Sequence, residues 1–292
     1  MFHGSITALI TPFKNGEIDW NAFENLVEWQ IEKGTHALVP CGTTGESPTL
    51  SHDEHMAIVK RTADVVKGRI PVIAGSGSNS TREAIKLTSY AKNAGANAAL
   101  IVTPYYNKPT QAGLYEHFRA IHDEVDIPII IYNIPGRCVV DMSIETMARL
   151  AKLPNIVGVK DATGDLTRPL YTRNIIGEDF CQLSGDDATT AAFLAQGGVG
   201  SISVVSNIAP EECANMHNAW VEGDRETFEE LRDKLALLAR DLFCESNPAP
   251  AKYAASLLGI CSDEVRRPLL RASDDARTKV EAALDFAGIA YG

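Results

Sequence analysis

Eight short runs rich in β-branched residues recur along the 292 residues, at 5–10, 36–40, 70–75, 97–103, 127–133, 156–160, 180–184 and 200–205. Each is nearly continuously apolar, which marks strands covered on both faces, as in a parallel sheet. Helical patterns lie between them. Within residues 19–34 Asp19 can cap, Phe23, Leu26, Val27 and Ile31 share a face, and Gly34 ends the helix. Ser51 with Glu54, and Ser80 with Glu83, each fit a capping box, and Ser143 and Asp165 can cap the helices that follow them. Eight strand–helix units favour an α/β chain closed into a (β/α)8 TIM barrel over a doubly wound sheet of about five or six strands. After the eighth run only helical periodicity appears, over 225–240, 250–258 and 273–286. The expected organisation is a barrel over 1–222 that carries the active site, and a C-terminal helical extension over 223–292.

Charge narrows the partners. A net charge of −11 repels nucleic acid and anionic membrane, so neither is expected. No basic leader with an apolar stretch opens the chain, and no run approaches the ~18 apolar residues that span a bilayer. The six cysteines, Cys41, Cys138, Cys181, Cys213, Cys244 and Cys261, lie far apart and form no C-x-x-C pair. Neither a disulfide framework nor a zinc cluster fits that spacing, and reduced thiols in a cytoplasmic protein do.

In a barrel, chemistry belongs at the C-terminal ends of the strands. The second run ends in GTTGE (42–46), whose amides and hydroxyls can face a small anion or form an ordinary turn. Residues 75–80 resemble a dinucleotide loop without its third glycine, and no acid follows at the next strand end to hold a ribose. The fourth run ends in TPYYNKP (103–109). Tyr105 and Tyr106 would point opposite ways in an extended segment, and tyrosines also suit an interface. The fifth ends in YNIPGR (132–137): Tyr132 can give and take a proton, and Arg137 offers a planar fork for a carboxylate or a surface salt bridge. The sixth ends at Lys160. A lysine there either pairs with Asp161 or Asp165 on the rim, or is desolvated into a nucleophile that forms a Schiff base. The seventh ends in SGDD (184–187), whose carboxylates argue against a phosphate ligand.

Taken in order, GTTGE, TPYYNKP, YNIPGR, VKDATGD (159–165), SGDD and GSISV (200–204) resemble the dihydrodipicolinate synthase/N-acetylneuraminate lyase family of class I, Schiff-base aldolases, across essentially the whole chain. Thr43-Thr44 and Arg137 resemble the synthase branch; sialate lyases usually carry Ser-Thr and lack the arginine. The resemblance implies condensation of pyruvate with L-aspartate 4-semialdehyde in lysine and diaminopimelate synthesis. It assigns the Schiff base to Lys160 and proton transfer to Tyr132, linked through Thr43 to Tyr106, which reaches in from a neighbouring subunit. Thr44 takes the pyruvate carboxylate, Arg137 the semialdehyde carboxylate, and Gly185 with the Ile202 carbonyl lines the pocket. No metal or organic cofactor is implied, because the lysine supplies the electron sink.

The resemblance further implies a homotetramer, a dimer of dimers, with an inhibitory L-lysine site at an interface. Ser47, His52, His55, Asn79, Glu83 and Tyr105 match that site. Glu83 offers an anion to an ammonium but also fits the capping box, and His52 with His55 lacks a third ligand for zinc. Two departures and two rivals stand beside this reading. Pro48 replaces a common alanine, and Cys138-Val139 follows Arg137 where threonine and glycine are usual. A sialate or 2-keto-3-deoxy sugar acid lyase would use the same lysine, and a silent barrel would bind a keto acid without turning it over.

Overall fold

The computed structural model describes residues 2–292. One sheet holds eight strands: β1 (Gly4–Ala8), β2 (Ala37–Val39), β3 (Ile73–Gly75), β4 (Ala98–Val102), β5 (Ile129–Asn133), β6 (Ile156–Asp161), β7 (Cys181–Ser184) and β8 (Gly200–Ser203). Strands β3 to β8 pair in succession and β1 pairs with β2, all in parallel. The order β2–β1–β8–β7–β6–β5–β4–β3 is cyclic, which is the order of a (β/α)8 barrel. Residues of β5 are buried throughout, as are nearly all of β6, the consequence of apolar runs covered on both faces.

A helix follows each strand: α1 (Trp20–Glu32), α2 (His52–Val66), α3 (Thr81–Ala94), α4 (Gln111–Glu124), α5 (Ile144–Leu150), α6 (Arg168–Ile176), α7 (Thr190–Ala195) and α8 (Pro210–Glu222). Three more close the chain: α9 (Arg225–Asp241), α10 (Ala249–Leu257) and α11 (Asp274–Phe286). A short antiparallel hairpin precedes α1, Phe13–Lys14 against Glu17–Ile18. Its turn residues Asn15 and Gly16 both have positive φ, the two-residue geometry that Asn-Gly favours.

The caps follow the sequence in part. Asp19 accepts from the Ala22 amide, Ser143 from Thr146, and Ser51 with Glu54 completes both bonds of a capping box. At α3 the box fails. Ser80 makes no side-chain cap bond, because the Glu83 carboxylate takes the Ser78 hydroxyl instead. Nor does Asp165 cap α6: its carboxylate binds the amide and hydroxyl of Thr167, which is the residue at the N-cap position. On α1 the inward position goes to Gln30, not Ile31. Gln30 is fully buried because its amide is satisfied, accepting from Thr7 and Thr35 at 2.7 Å each and donating to the Ser206 carbonyl at 2.8 Å.

The chain forms two compact units, one built on Pro71–Ile202 and one on Gly4–Ile70 with Ser203–Gly292. The first has its core on Ile101, Ile129, Ile131 and Val159 of the strands against Leu114, Phe118, Met147 and Leu150 of the helices.

Candidate active site

Parallel register sets Tyr132 of β5 opposite Lys160 of β6, and Asn133 opposite Asp161. Alternation along each strand sends the first pair to one face and the second pair to the other. Lys160 is only 6% exposed, and its Nζ lies 4.2 Å from the centre of the Tyr132 ring. Burial lowers its pKa to about 8, against the pull of the Asp187 carboxylate and with help from Arg137. At pH 7 roughly a tenth of the amine is then neutral, against less than one in a thousand at the ordinary value.

The rim salt bridge fails. Asp161 faces away and is occupied by Arg168 Nε at 3.1 Å, Thr163 N at 2.9 Å and Thr163 Oγ1 at 2.7 Å. Asp165 is held by Thr167. Lys160 makes no ion pair among the described residues. A buried, unpaired amine beside a phenol is equipped to attack a carbonyl and exchange protons.

Gly185, just past β7, is what lets the lysine lie there. Its amide donates to the Asp161 carbonyl at 2.7 Å, and a Cβ at this position would fall 3.1 Å from Lys160 Cε and 2.7 Å from Ala162 Cβ. Ile202 of β8 is buried. Arg137 is exposed on a one-turn helix, Pro135–Cys138, that follows β5. Burial pushes the Cys138 thiol up, so it is a poor nucleophile. Val139, where glycine is usual, stands at φ 66° and ψ −37°.

In the other unit GTTGE follows β2. Cys41 and Glu46 both take positive φ, and the Thr43 carbonyl accepts from the Glu46 amide at 3.1 Å, folding the loop on itself. A Cβ on Gly45 would meet the Leu9 carbonyl at 3.1 Å. Thr44 is buried and its hydroxyl accepts from Asn247 Nδ2 at 3.0 Å, while Thr43 is half-buried. Glu46 ends the loop in a buried ion pair with Lys252 Nζ at 2.7 Å; both side chains are fully buried. Lys252 also donates to the Glu264 carbonyl at 2.5 Å and lies over the Phe13 ring, and the Arg266 amide donates to the other Glu46 oxygen at 2.9 Å.

The two tyrosines of TPYYN do not sit in an extended segment. Tyr106 has φ 72°, the Asn107 amide turns back to the Tyr105 carbonyl, and Tyr106 is 90% exposed while Tyr105 is partly covered. Beside them Asn79 Nδ2 donates to the Tyr105 carbonyl at 3.2 Å, and Asn107 Nδ2 to the Asn79 carbonyl at 2.8 Å. Burial, then the Glu83 charge, raise the Tyr105 pKa, so Asn79, Glu83 and Tyr105 share one neighbourhood. Ser47, His52 and His55 lie in the other unit. Ser47 opens a single 3-10 turn with Pro48, His52 starts α2 exposed, and His55 is buried on its inner side.

Sequence reasoning missed the supports: Asn133, Asp141 and Arg168 in one unit, Asn247 and Lys252 in the other. Lys252 and Glu46 lie 206 residues apart and Asn247 and Thr44 203, and no local pattern reports such a contact.

Residues 1–287 match the model of the dihydrodipicolinate synthetase family. The chain is 64% identical over 289 residues, 99% of both chains, to the 4-hydroxy-tetrahydrodipicolinate synthase of Rhodospirillum centenum. It resembles the chloride-inhibited dihydrodipicolinate synthase of Acinetobacter baumannii complexed with pyruvate, with TM-score 0.97 and 47% identity over 99% of this chain and all of that one. The enzyme of Cyanidioschyzon merolae with lysine bound superposes with TM-score 0.95 and 40% identity, covering 99% of each.

Proposed function

The chain belongs to the dihydrodipicolinate synthetase family, and from that premise we propose how its own residues carry the reaction. It is a lyase that condenses pyruvate with L-aspartate 4-semialdehyde to 4-hydroxy-tetrahydrodipicolinate, in lysine and diaminopimelate synthesis. Relatives of the synthase name displace the sugar-acid lyase and the silent barrel.

Lys160 Nζ attacks the pyruvate ketone, and loss of water gives an iminium. Loss of a methyl proton then gives the enamine, whose carbon attacks the semialdehyde. The substrate amine adds to the iminium carbon, closes the ring and releases Lys160. Tyr132 moves the protons of carbinolamine formation and dehydration. Thr43 relays them toward Tyr106, Thr44 takes the pyruvate carboxylate, Arg137 takes the semialdehyde carboxylate, and Gly185 with the Ile202 carbonyl lines the pocket. The observation that carries this reading is the buried Lys160 amine over the Tyr132 ring, its pKa lowered to about 8. Borohydride reduction with pyruvate tests it: the adduct mass maps to Lys160, and a map to any other lysine refutes the assignment.

The same reading includes L-lysine as an inhibitor held by Ser47, His52, His55, Asn79, Glu83 and Tyr105. The Glu83 carboxylate supplies an anion for the ligand's ammonium, and a relative binds lysine. It also includes the homotetramer. Tyr106, 90% exposed, is free to reach a second copy, and α6 shows Leu170, Tyr171 and Ile175 to solvent as a second apolar contact. The division into a barrel over 1–222 and a helical extension over 223–292, and a cytoplasmic location, belong to this reading too; buried and half-buried free thiols support the latter. Among the described residues no helix is long and apolar enough to cross a membrane.

A further inference from the structure

The turn that carries Arg137 is gripped by side chains that none of these roles uses. The chain leaves β5 at Asn133, runs through residues 134–140, and is caught again at Asp141–Ser143. Asn133 is fully buried: its Oδ1 accepts from the Met142 amide at 3.0 Å, and its Nδ2 donates to Asp141 Oδ1 at 2.7 Å. Arg168, buried at the first position of α6, donates through Nη2 to the Met142 carbonyl at 2.8 Å and through Nε to Asp161 at 3.1 Å. Its Nη1 reaches Asp141 at 3.5 Å. Gln111, first in α4, donates to the Asp141 carbonyl at 2.7 Å and accepts from the Ser143 amide at 3.0 Å.

Four consecutive backbone groups, from the Asp141 carbonyl to the Ser143 amide, thus end on side chains of β5, α4 and α6. Between the two anchored feet Val139 sits at φ 66°, a conformation a β-branched residue keeps only where its surroundings over-determine it. Its amide closes the turn onto the Pro135 carbonyl at 2.8 Å. The fork of Arg168 suits this task, since one rigid plane serves acceptors on two segments, the end of β6 and the return of the turn.

We propose that the clamp of Asn133, Asp141 and Arg168 holds this strained turn in place and so sets Arg137 for the carboxylate of the second substrate. Arg168 is a positioning residue for the semialdehyde and not for pyruvate. The inference rests on Arg137 being the semialdehyde's partner. The clamp touches Asp161 and not Lys160, which is why the two substrates separate in the test.

Arg168→Met removes the fork, and Asp141→Ala, at a half-exposed site, weakens the same foot. Each variant is expected to speed amide hydrogen exchange at residues 137–142 and to raise the semialdehyde KM about tenfold, with pyruvate KM and borohydride trapping within about twofold of the parent. Unchanged exchange at 137–142 in both variants overturns the clamp, whatever the kinetics. Faster exchange with an unchanged semialdehyde KM overturns the positioning role. Arg137→Ala is run alongside: if it leaves the semialdehyde KM unchanged, the reading of Arg137 fails and the positioning role with it, while the exchange result still decides the clamp.

Discussion

Tyr132 and Lys160 are register partners at the ends of adjacent parallel strands, with the lysine nitrogen 4.2 Å from the phenol ring centre. The strand pairing makes this a rigid relationship. Each side chain projects from a buried position on a paired strand, so their separation does not depend on a loop.

Gly185 is the third member of that arrangement. Adding a methyl group puts it against the Asp161 carbonyl at 3.0 Å and Ala162 Cβ at 2.7 Å, neither of which is the end of a flexible side chain. Gly185→Ala is expected to cost about 1–3 kcal/mol of stability by overpacking and to slow pyruvate trapping at Lys160 by roughly tenfold or more. Urea denaturation and the trapping rate check the two effects. A variant with parent stability and parent trapping would mean the close approach is not restrictive.

The Glu46–Lys252 pair makes an asymmetric prediction. Lys252→Met strands a fully buried carboxylate and should cost about 3–5 kcal/mol. Glu46→Gln added to it removes the stranded charge and should recover most of that loss, because the neutral amide still accepts from Arg266. Urea midpoints of the two single variants and the double variant complete the cycle. Equal, additive losses would show that the charges do not interact.

His117 of α4 sets an acid limit. Burial lowers its pKa to about 4, its Nδ1 partners Thr81 Oγ1 at 2.9 Å, and its Nε2 has no hydrogen-bond partner among the described residues. The unfolded chain takes up a proton near the ordinary pKa of 6.5 and the folded protein only near 4, so protonation favours unfolding between them. Stability is therefore complete above about pH 6.5 and falls by up to ~3 kcal/mol as pH drops toward 4. His117→Gln should flatten that limb in urea titrations at stepped pH. An unchanged acid limb would assign the loss to other groups.

Much of the fold was legible because its signal is local. Apolar runs and turn residues mark eight strands, and a serine followed by an acid marks α2. The same local logic failed at Ser80, where Glu83 had a nearer hydroxyl in Ser78, and at Asp165, whose carboxylate was taken by Thr167 before the helix began. The extended reading of the paired tyrosines failed for a related reason: the Tyr106 backbone turns, which side-chain identity does not encode. Lys160 was the opposite case. Its two readings separated only when strand register showed Asp161 facing away and held by Arg168. The residues that brace the site were invisible, since Asn247, Lys252 and Arg168 act through contacts that only the folded chain creates.

The most direct measurement is the pH dependence of borohydride trapping with subsaturating pyruvate, with the product mapped by mass. The expected result is a single adduct on Lys160 whose trapping rate climbs with pH to an inflection near 8 and then levels, as an amine depressed by burial requires. An adduct elsewhere, or a rate on Lys160 still climbing toward the ordinary lysine pKa above 10, would contradict the claim that burial over Tyr132 prepares this lysine for catalysis.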